Sequence, residues 1–141
     1  MTRREMIKIA ATAALVTTTV SAYDEKLLVN KEKMTPKDPK KMTKGEQKHT
    51  PEIKIGEKDS AGYTLVEVSV GQGDIIHPST DDHWIYEITL FANGKKIDTV
   101  ALESSISRGY LGTRVKLDGV KELLAVAKCN LHGEWSSIQT V

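Results

Sequence analysis

Four short stretches of this chain carry the side chains with chemistry to offer. In chain order they are Lys48-His49-Thr50-Pro51, Ile76-His77-Pro78-Ser79-Thr80, Asp81-Asp82-His83-Trp84 and Cys129-Asn130-Leu131-His132-Gly133-Glu134-Trp135. Between them they hold all four histidines and the one cysteine of the 141 residues. Imidazole nitrogen suits iron, copper, nickel and zinc, and a thiolate adds strong electron donation. Cys129 and His132 stand in a C-x-x-H spacing, and five residues separate His77 from His83. Taken singly, each feature has an ordinary reading: a loop histidine is usually a surface group, and a lone cysteine a small buried hydrophobe. Jointly they say more, because no histidine is left over and the only thiol is paired with one. A structural zinc site takes four ligands, often with more than one cysteine. Five donors with a single thiolate fit a mononuclear redox metal better.

The elements that must position these groups read as strands. Tyr63–Val70 alternates, with Thr64, Val66, Val68 and Val70 on one face. Trp84–Phe91 alternates too, with Trp84, Tyr86, Ile88 and Leu90 on one side. Asn93-Gly94 follows, a dipeptide favoured in two-residue hairpins because both residues tolerate positive φ. Lys96–Leu102 is the return strand. Glu52–Ile55, Thr113–Leu117, Leu123–Lys128 and Trp135–Val141 complete about seven short strands, which predicts an all-β sandwich. Each histidine then falls at a strand boundary or in a loop, where a rigid β scaffold gathers ligands from distant parts of the chain.

Composition narrows the partners. Twenty Lys+Arg against nineteen Asp+Glu give a net charge of +1, so no basic excess points to nucleic acid. One cysteine excludes an internal disulfide framework and any four-cysteine iron or zinc centre within one chain. Residues 1–22 read as an export signal. Arg3-Arg4 precedes the uncharged stretch Ile9–Val20, which is too short and threonine-rich for a membrane span, and Val20-Ser21-Ala22 offers small residues for cleavage. The order Thr-Arg-Arg-Glu-Met-Ile-Lys resembles a twin-arginine signal, which predicts a periplasmic or otherwise exported protein with no stable membrane span. Residues 23–47 form a polar, Lys-rich arm broken by Pro36 and Pro39, with a short helical turn near Glu25–Val29. The ligand-bearing domain spans 48–141.

The four stretches, in this order and spacing from about Lys44 to Ser136, resemble the superoxide reductase family, the neelaredoxin and desulfoferrodoxin iron domain. The resemblance implies an immunoglobulin-like β-sandwich. It implies one non-haem iron held by four imidazoles, from His49, His77, His83 and His132, and by the Cys129 thiolate. A position opposite the sulfur would stay open for superoxide, which is reduced there to hydrogen peroxide. With no cysteine in the arm, the chain resembles the one-iron form. Family members often carry Glu-Lys-His at the first ligand. Here the run is Glu46-Gln47-Lys48-His49, with the carboxylate one residue early, so the resemblance does not extend to a glutamate-capped ferric state.

Superoxide is a small anion, and a cationic approach favours its capture. Lys48, next to a ligand, is the candidate catalytic charge and could hold the water that delivers a proton. Lys40, Lys41 and Lys44 would extend the field. Backbone N–H groups of Leu131 or His132 could tune the Cys129 sulfur. The chain holds no second redox centre, which implies a separate small redox protein as electron donor. One-iron relatives suggest a homo-oligomer. A non-catalytic metal-binding electron carrier or redox sensor is the alternative, and a metal-free interaction domain a further one. A copper carrier would want a methionine after His132, and none occurs after Met42.

Overall fold

Alternating apolar side chains decide the sheets of the computed structural model, which describes residues 24–141. The strands are β1 (Lys33–Met34), β2 (Pro51–Lys58), β3 (Thr64–Val70), β4 (Ile85–Ala92), β5 (Lys95–Ala101), β6 (Tyr110–Val115), β7 (Glu122–Cys129) and β8 (Gly133–Thr140). They form a five-stranded sheet in the order β1-β8-β7-β4-β5 and a three-stranded sheet in the order β2-β3-β6. The all-β sandwich is as expected. Strands β2 to β8 are the seven read from the sequence, and β1 is an eighth contributed by the polar arm, pairing parallel with β8 at Met34 and Trp135.

Every second residue of β3 is buried (Thr64, Val66, Val68, Val70), and so is every second residue of β7 (Leu123, Ala125, Ala127, Cys129). The apolar members of these rows join Ile88 and Leu90 of β4 and Leu111 and Val115 of β6 in one core. Each fully buried Val, Leu or Ile there contributes about 1.5–3 kcal/mol. Cys129 is the last inward residue of its row, so core packing delivers the thiol to one end of the sandwich.

Strand β4 departs from simple alternation. Ile85 pairs with Cys129 but Glu87 pairs with Lys128, leaving Tyr86 as the extra residue of a bulge. Such a bulge re-aims the side chains beside it. Ile85 therefore enters the core with Ile88 and Leu90, in place of the single face expected for Trp84, Tyr86, Ile88 and Leu90. Trp84 is fully buried, and its indole N–H donates to the Leu102 carbonyl at 3.0 Å. The turn at Asn93-Gly94 has φ of 47° and 79°, as the dipeptide predicts.

The arm is more ordered than a loop. It opens on a 3-10 turn at Glu25–Leu27 and ends in α1 (Lys44–His49). His49 thus closes a helix and, as expected, stands just before a strand, β2, which begins at Pro51. Among the described residues no helix is long and apolar enough to cross a membrane. The expected export signal lies outside the described residues.

Candidate metal centre

The five expected donors arrive on separate parts of the chain, except that Cys129 and His132 share one hairpin. His49 is the last residue of α1, and its Nδ1 lies 2.7 Å from the Gly45 carbonyl one turn earlier. A carbonyl only accepts, so Nδ1 carries the proton and Nε2 keeps its lone pair. His77 follows the same logic, with Nδ1 at 2.8 Å from the Pro78 carbonyl. Cys129 ends β7, and His132 is the last residue of the three-residue turn to β8, closed by the pairing of Cys129 with Gly133. Gly133 has φ of 89°, and a Cβ there would sit 2.6 Å from the Glu32 carbonyl. The turn therefore needs glycine twice over, for its backbone and for the arm that crosses it.

The donors converge. Ligand atoms of His49, His83, Cys129 and His132 all lie within 4.8 Å of one another. His49 Nε2 is 3.1 Å from His132 Nδ1, which is 3.2 Å from His83 Nε2 and 3.6 Å from Cys129 Sγ. His77 stands beside them, its ring centroid 4.9 Å from that of His49 and 4.7 Å from that of His83. Its Nε2 is buried and has no hydrogen-bond partner. Leaving a buried polar atom unpaired costs about 1–3 kcal/mol. His132 Nδ1 faces two imidazole nitrogens and a sulfur, with one proton at most to share. An orphaned buried nitrogen beside a ring of lone pairs is what a bound cation satisfies, so the residues fit a nitrogen- and sulfur-ligated metal.

Burial sets the protonation. Desolvation, well ahead of neighbouring charges, pushes His49 down to about 4 and His77 down to about 3, against the opposing carbonyl bonds. His83 is lowered as well, first by desolvation and then by repulsion from His132. Neutral imidazoles offer a metal their lone pairs without proton competition at neutral pH. Burial raises the Cys129 thiol, opposed by the backbone N–H groups of Leu131 and His132 and by the charge of Lys48. Those two N–H groups are the sulfur donors expected from the sequence, and a bound cation would reverse the burial effect outright.

The cluster is closed on one side and open on the other. His77 and Cys129 are fully buried and His49 is 6% exposed, whereas His132 is exposed and His83 half-buried. Lys48 is half-buried, and its charge is felt at His49, His77, His83 and Cys129. Lys40, Lys41 and Lys44 are exposed. A depression of about 530 Å³ runs past Met34, Lys48, His49, His132 and Trp135.

Glu46 serves the helix instead of the donors. One carboxylate oxygen accepts the Thr43 N–H at 2.9 Å and the other the Lys37 N–H at 2.8 Å. The Thr43 hydroxyl accepts the Glu46 N–H in return, closing a capping box. These backbone bonds hold the Glu46 carboxyl below its ordinary value. Gln47 lends its carbonyl to the Gln72 N–H at 2.8 Å.

Two residues matter here that sequence reasoning quoted without a role. Asn130 is fully buried and bonds on both sides of His83. Trp135 stacks on the His49 ring at 5.5 Å and 25° and donates its indole N–H to the His132 carbonyl at 2.9 Å. The available signal was their position within the stretch Cys129 to Trp135, Asn130 inside the C-x-x-H spacing and Trp135 three residues past it.

Comparison with known proteins agrees with the geometry. The desulfoferrodoxin family model matches residues 41–138. A protein of Methanocaldococcus jannaschii provisionally assigned as a superoxide reductase is 32% identical over 101 residues, 68% of this chain and 84% of that one. A second, from Thermotoga maritima, is 26% identical over 114 residues, 67% of this chain and 86% of that one. The solved one-iron superoxide reductase of Giardia intestinalis superposes with a TM-score of 0.59 at 29% identity, covering 67% of this chain and 99% of its own.

Proposed function

We propose a function from one premise: the chain belongs to the desulfoferrodoxin family. It is a superoxide reductase that holds one non-haem iron on His49, His77, His83, His132 and Cys129. Iron bound there supplies one electron to each superoxide, which with two protons gives hydrogen peroxide. The observation that carries the ligand set is the buried, unpartnered Nε2 of His77 beside four other donors.

The chain's own residues divide the remaining work. The Gly45 and Pro78 carbonyls fix the tautomers of His49 and His77, so that both present Nε2. The Leu131 and His132 N–H groups at the Cys129 sulfur temper its electron donation. Lys48 draws the anion to the open side and orders the water that gives the proton. Glu46, committed to two backbone amides, leaves that side uncapped.

Export belongs to the same proposal, supported by Arg3-Arg4 before the uncharged stretch Ile9–Val20 and the small residues ending at Ala22. So do a separate small redox protein as electron donor and a homo-oligomeric assembly, both suggested by the one-iron form. The decisive experiment is metal analysis followed by a pulse of superoxide onto the reduced protein. One iron per chain is expected, with superoxide decaying at a rate proportional to the reduced protein and one peroxide formed per superoxide without release of oxygen. A protein that binds no iron, or binds it and leaves superoxide to its spontaneous decay, would sink the proposal. Mass measurement of the chain recovered from the periplasm tests removal of residues 1–22.

A further inference from the structure

We infer that Trp135 is a positioning residue of the metal centre, holding the His49 ring and the His132 backbone in one grip. The inference rests on the superoxide reductase reading and extends it to a side chain that is not a ligand. Trp135 is 7% exposed, yet it stands outside the main apolar core formed by β3, β4, β6 and β7. What it touches instead are two donor residues that lie 83 positions apart in the chain. Its ring lies against His49 at 5.5 Å, nearly parallel at 25°. Its N–H holds the His132 carbonyl at 2.9 Å.

The consequence for His49 is geometric. The Gly45 carbonyl fixes Nδ1, the indole covers one face, and only Nε2 is left to the centre. A histidine on a six-residue helix would otherwise keep side-chain freedom that metal binding has to remove. The consequence for His132 is of the same kind. His132 and its neighbour Leu131 are exposed, and the indole bond ties the His132 backbone to strand β8. The arm closes behind: Met34 pairs with Trp135 and the Glu134 N–H donates to the Glu32 carbonyl at 2.7 Å. Three separate segments therefore meet at one residue, and the stacking and the N–H of its indole act on different donors. Groups that orient metal ligands typically change metal affinity about tenfold to a hundredfold when removed.

The test uses the full chain with Trp135→Phe and Trp135→Leu. Fe2+ affinity is read by chelator competition, unfolding by urea on the metal-free protein, and the thiolate-to-iron absorption on the oxidised protein. Phe keeps a ring over His49 and loses the N–H, so its dissociation constant should rise a few-fold. Leu loses both, so its constant should rise about tenfold or more and its absorption band should shift. If both variants bind Fe2+ as wild type does, with any loss confined to metal-free stability, Trp135 is packing and the inference is overturned. Should the Leu variant fail to fold, the Phe variant decides: weakened affinity supports the inference and unchanged affinity overturns it. A wild-type chain that takes up no iron defeats the superoxide reductase reading itself, a result separate from variants that match an iron-binding wild type.

Discussion

The Asn130 carboxamide brackets His83. Its Nδ2 donates to the Asp82 carbonyl at 2.8 Å, and its Oδ1 accepts the Trp84 N–H at 2.9 Å. Both chain neighbours of His83 are thereby tied to the hairpin that carries Cys129 and His132. The same Nδ2 reaches the Leu27 carbonyl at 3.1 Å, and the Asn130 carbonyl accepts the Val29 N–H at 3.0 Å. One buried residue thus joins the arm, the His83 loop and the ligand hairpin.

Asn130→Ala should therefore cost about 2–4 kcal/mol, since it strands the buried Trp84 N–H and the Asp82 carbonyl. Iron occupancy should fall with it, because His83 loses its bracket. Chemical denaturation and metal analysis check both. Full occupancy with wild-type stability would mean that the His83 loop holds itself.

His77 gives a sharper contrast between structure and function. Its unpaired Nε2 is a burden on the metal-free fold, offset in part by the Nδ1 bond to Pro78. His77→Leu keeps the volume and discards both, so metal-free stability should change by no more than about 1 kcal/mol. The stabilisation gained on adding Fe2+ should largely vanish. A loss of about 3 kcal/mol in the metal-free protein would make His77 a structural core residue instead.

Cys129 is the only thiol, and it is buried at the end of the β7 row. Cys129→Ser is nearly isosteric, so the fold should persist while the visible thiolate-to-iron absorption disappears. Retention of that band in the variant would remove Cys129 from the ligand set.

The metal-free protein should lose stability in mild acid. In the unfolded chain each imidazole takes its proton near 6.5, whereas burial delays this to about 4 for His49 and about 3 for His77. Between those values the unfolded state binds more protons, so stability is full above about pH 6.5 and falls as pH drops toward 4 and 3. The slope is roughly 1 kcal/mol per pH unit for each histidine. Urea midpoints of chelator-treated protein at pH 7 and pH 5 measure it, and His77→Leu should flatten it. Equal midpoints in the wild type would contradict the burial argument.

How much of this was legible depends on the length of each signal. Strand β3 shows in its alternation, and Asn93-Gly94 marks its own turn. Strand β7, apolar enough to read as a helix by period, shows in its brevity after the Asp118-Gly119 turn. The bulge at Tyr86 leaves no trace in composition, so the alternation starting at Trp84 misplaced Ile85. Helix α1 is six residues long, too short for an apolar period. Its signature was Thr43-Lys44-Gly45-Glu46, a capping box that also accounts for the displaced carboxylate. The five candidate donors stood out by residue type and spacing, whereas Asn130 and Trp135 act through contacts that only the assembled fold creates.

Lys48→Ala tests whether capture of the anion can be separated from retention of the metal. Lys48 lies in the last turn of the helix that ends in His49 and makes no salt bridge among the described residues, so its charge is not spent on a carboxylate. That charge reaches four of the five donors, ranking behind burial in its effect on each. Lys48→Ala should leave iron content and the resting spectrum nearly unchanged. The second-order rate with superoxide should fall, because a charge at roughly 6 Å in a half-wet site is worth about 1–3 kcal/mol at an effective dielectric near 20. That is roughly tenfold to a hundredfold in rate. Salt screens the attraction over about 10 Å at 0.1 M, so the gap between wild type and variant should narrow as ionic strength rises. Lys48→Arg should recover most of the rate, since charge and not shape is what acts. Stopped-flow or pulse measurements at low and high salt decide the matter. An unchanged rate at low salt would make Lys48 a solvated neighbour of His49 and leave capture to the exposed His132 side and the wider lysine field.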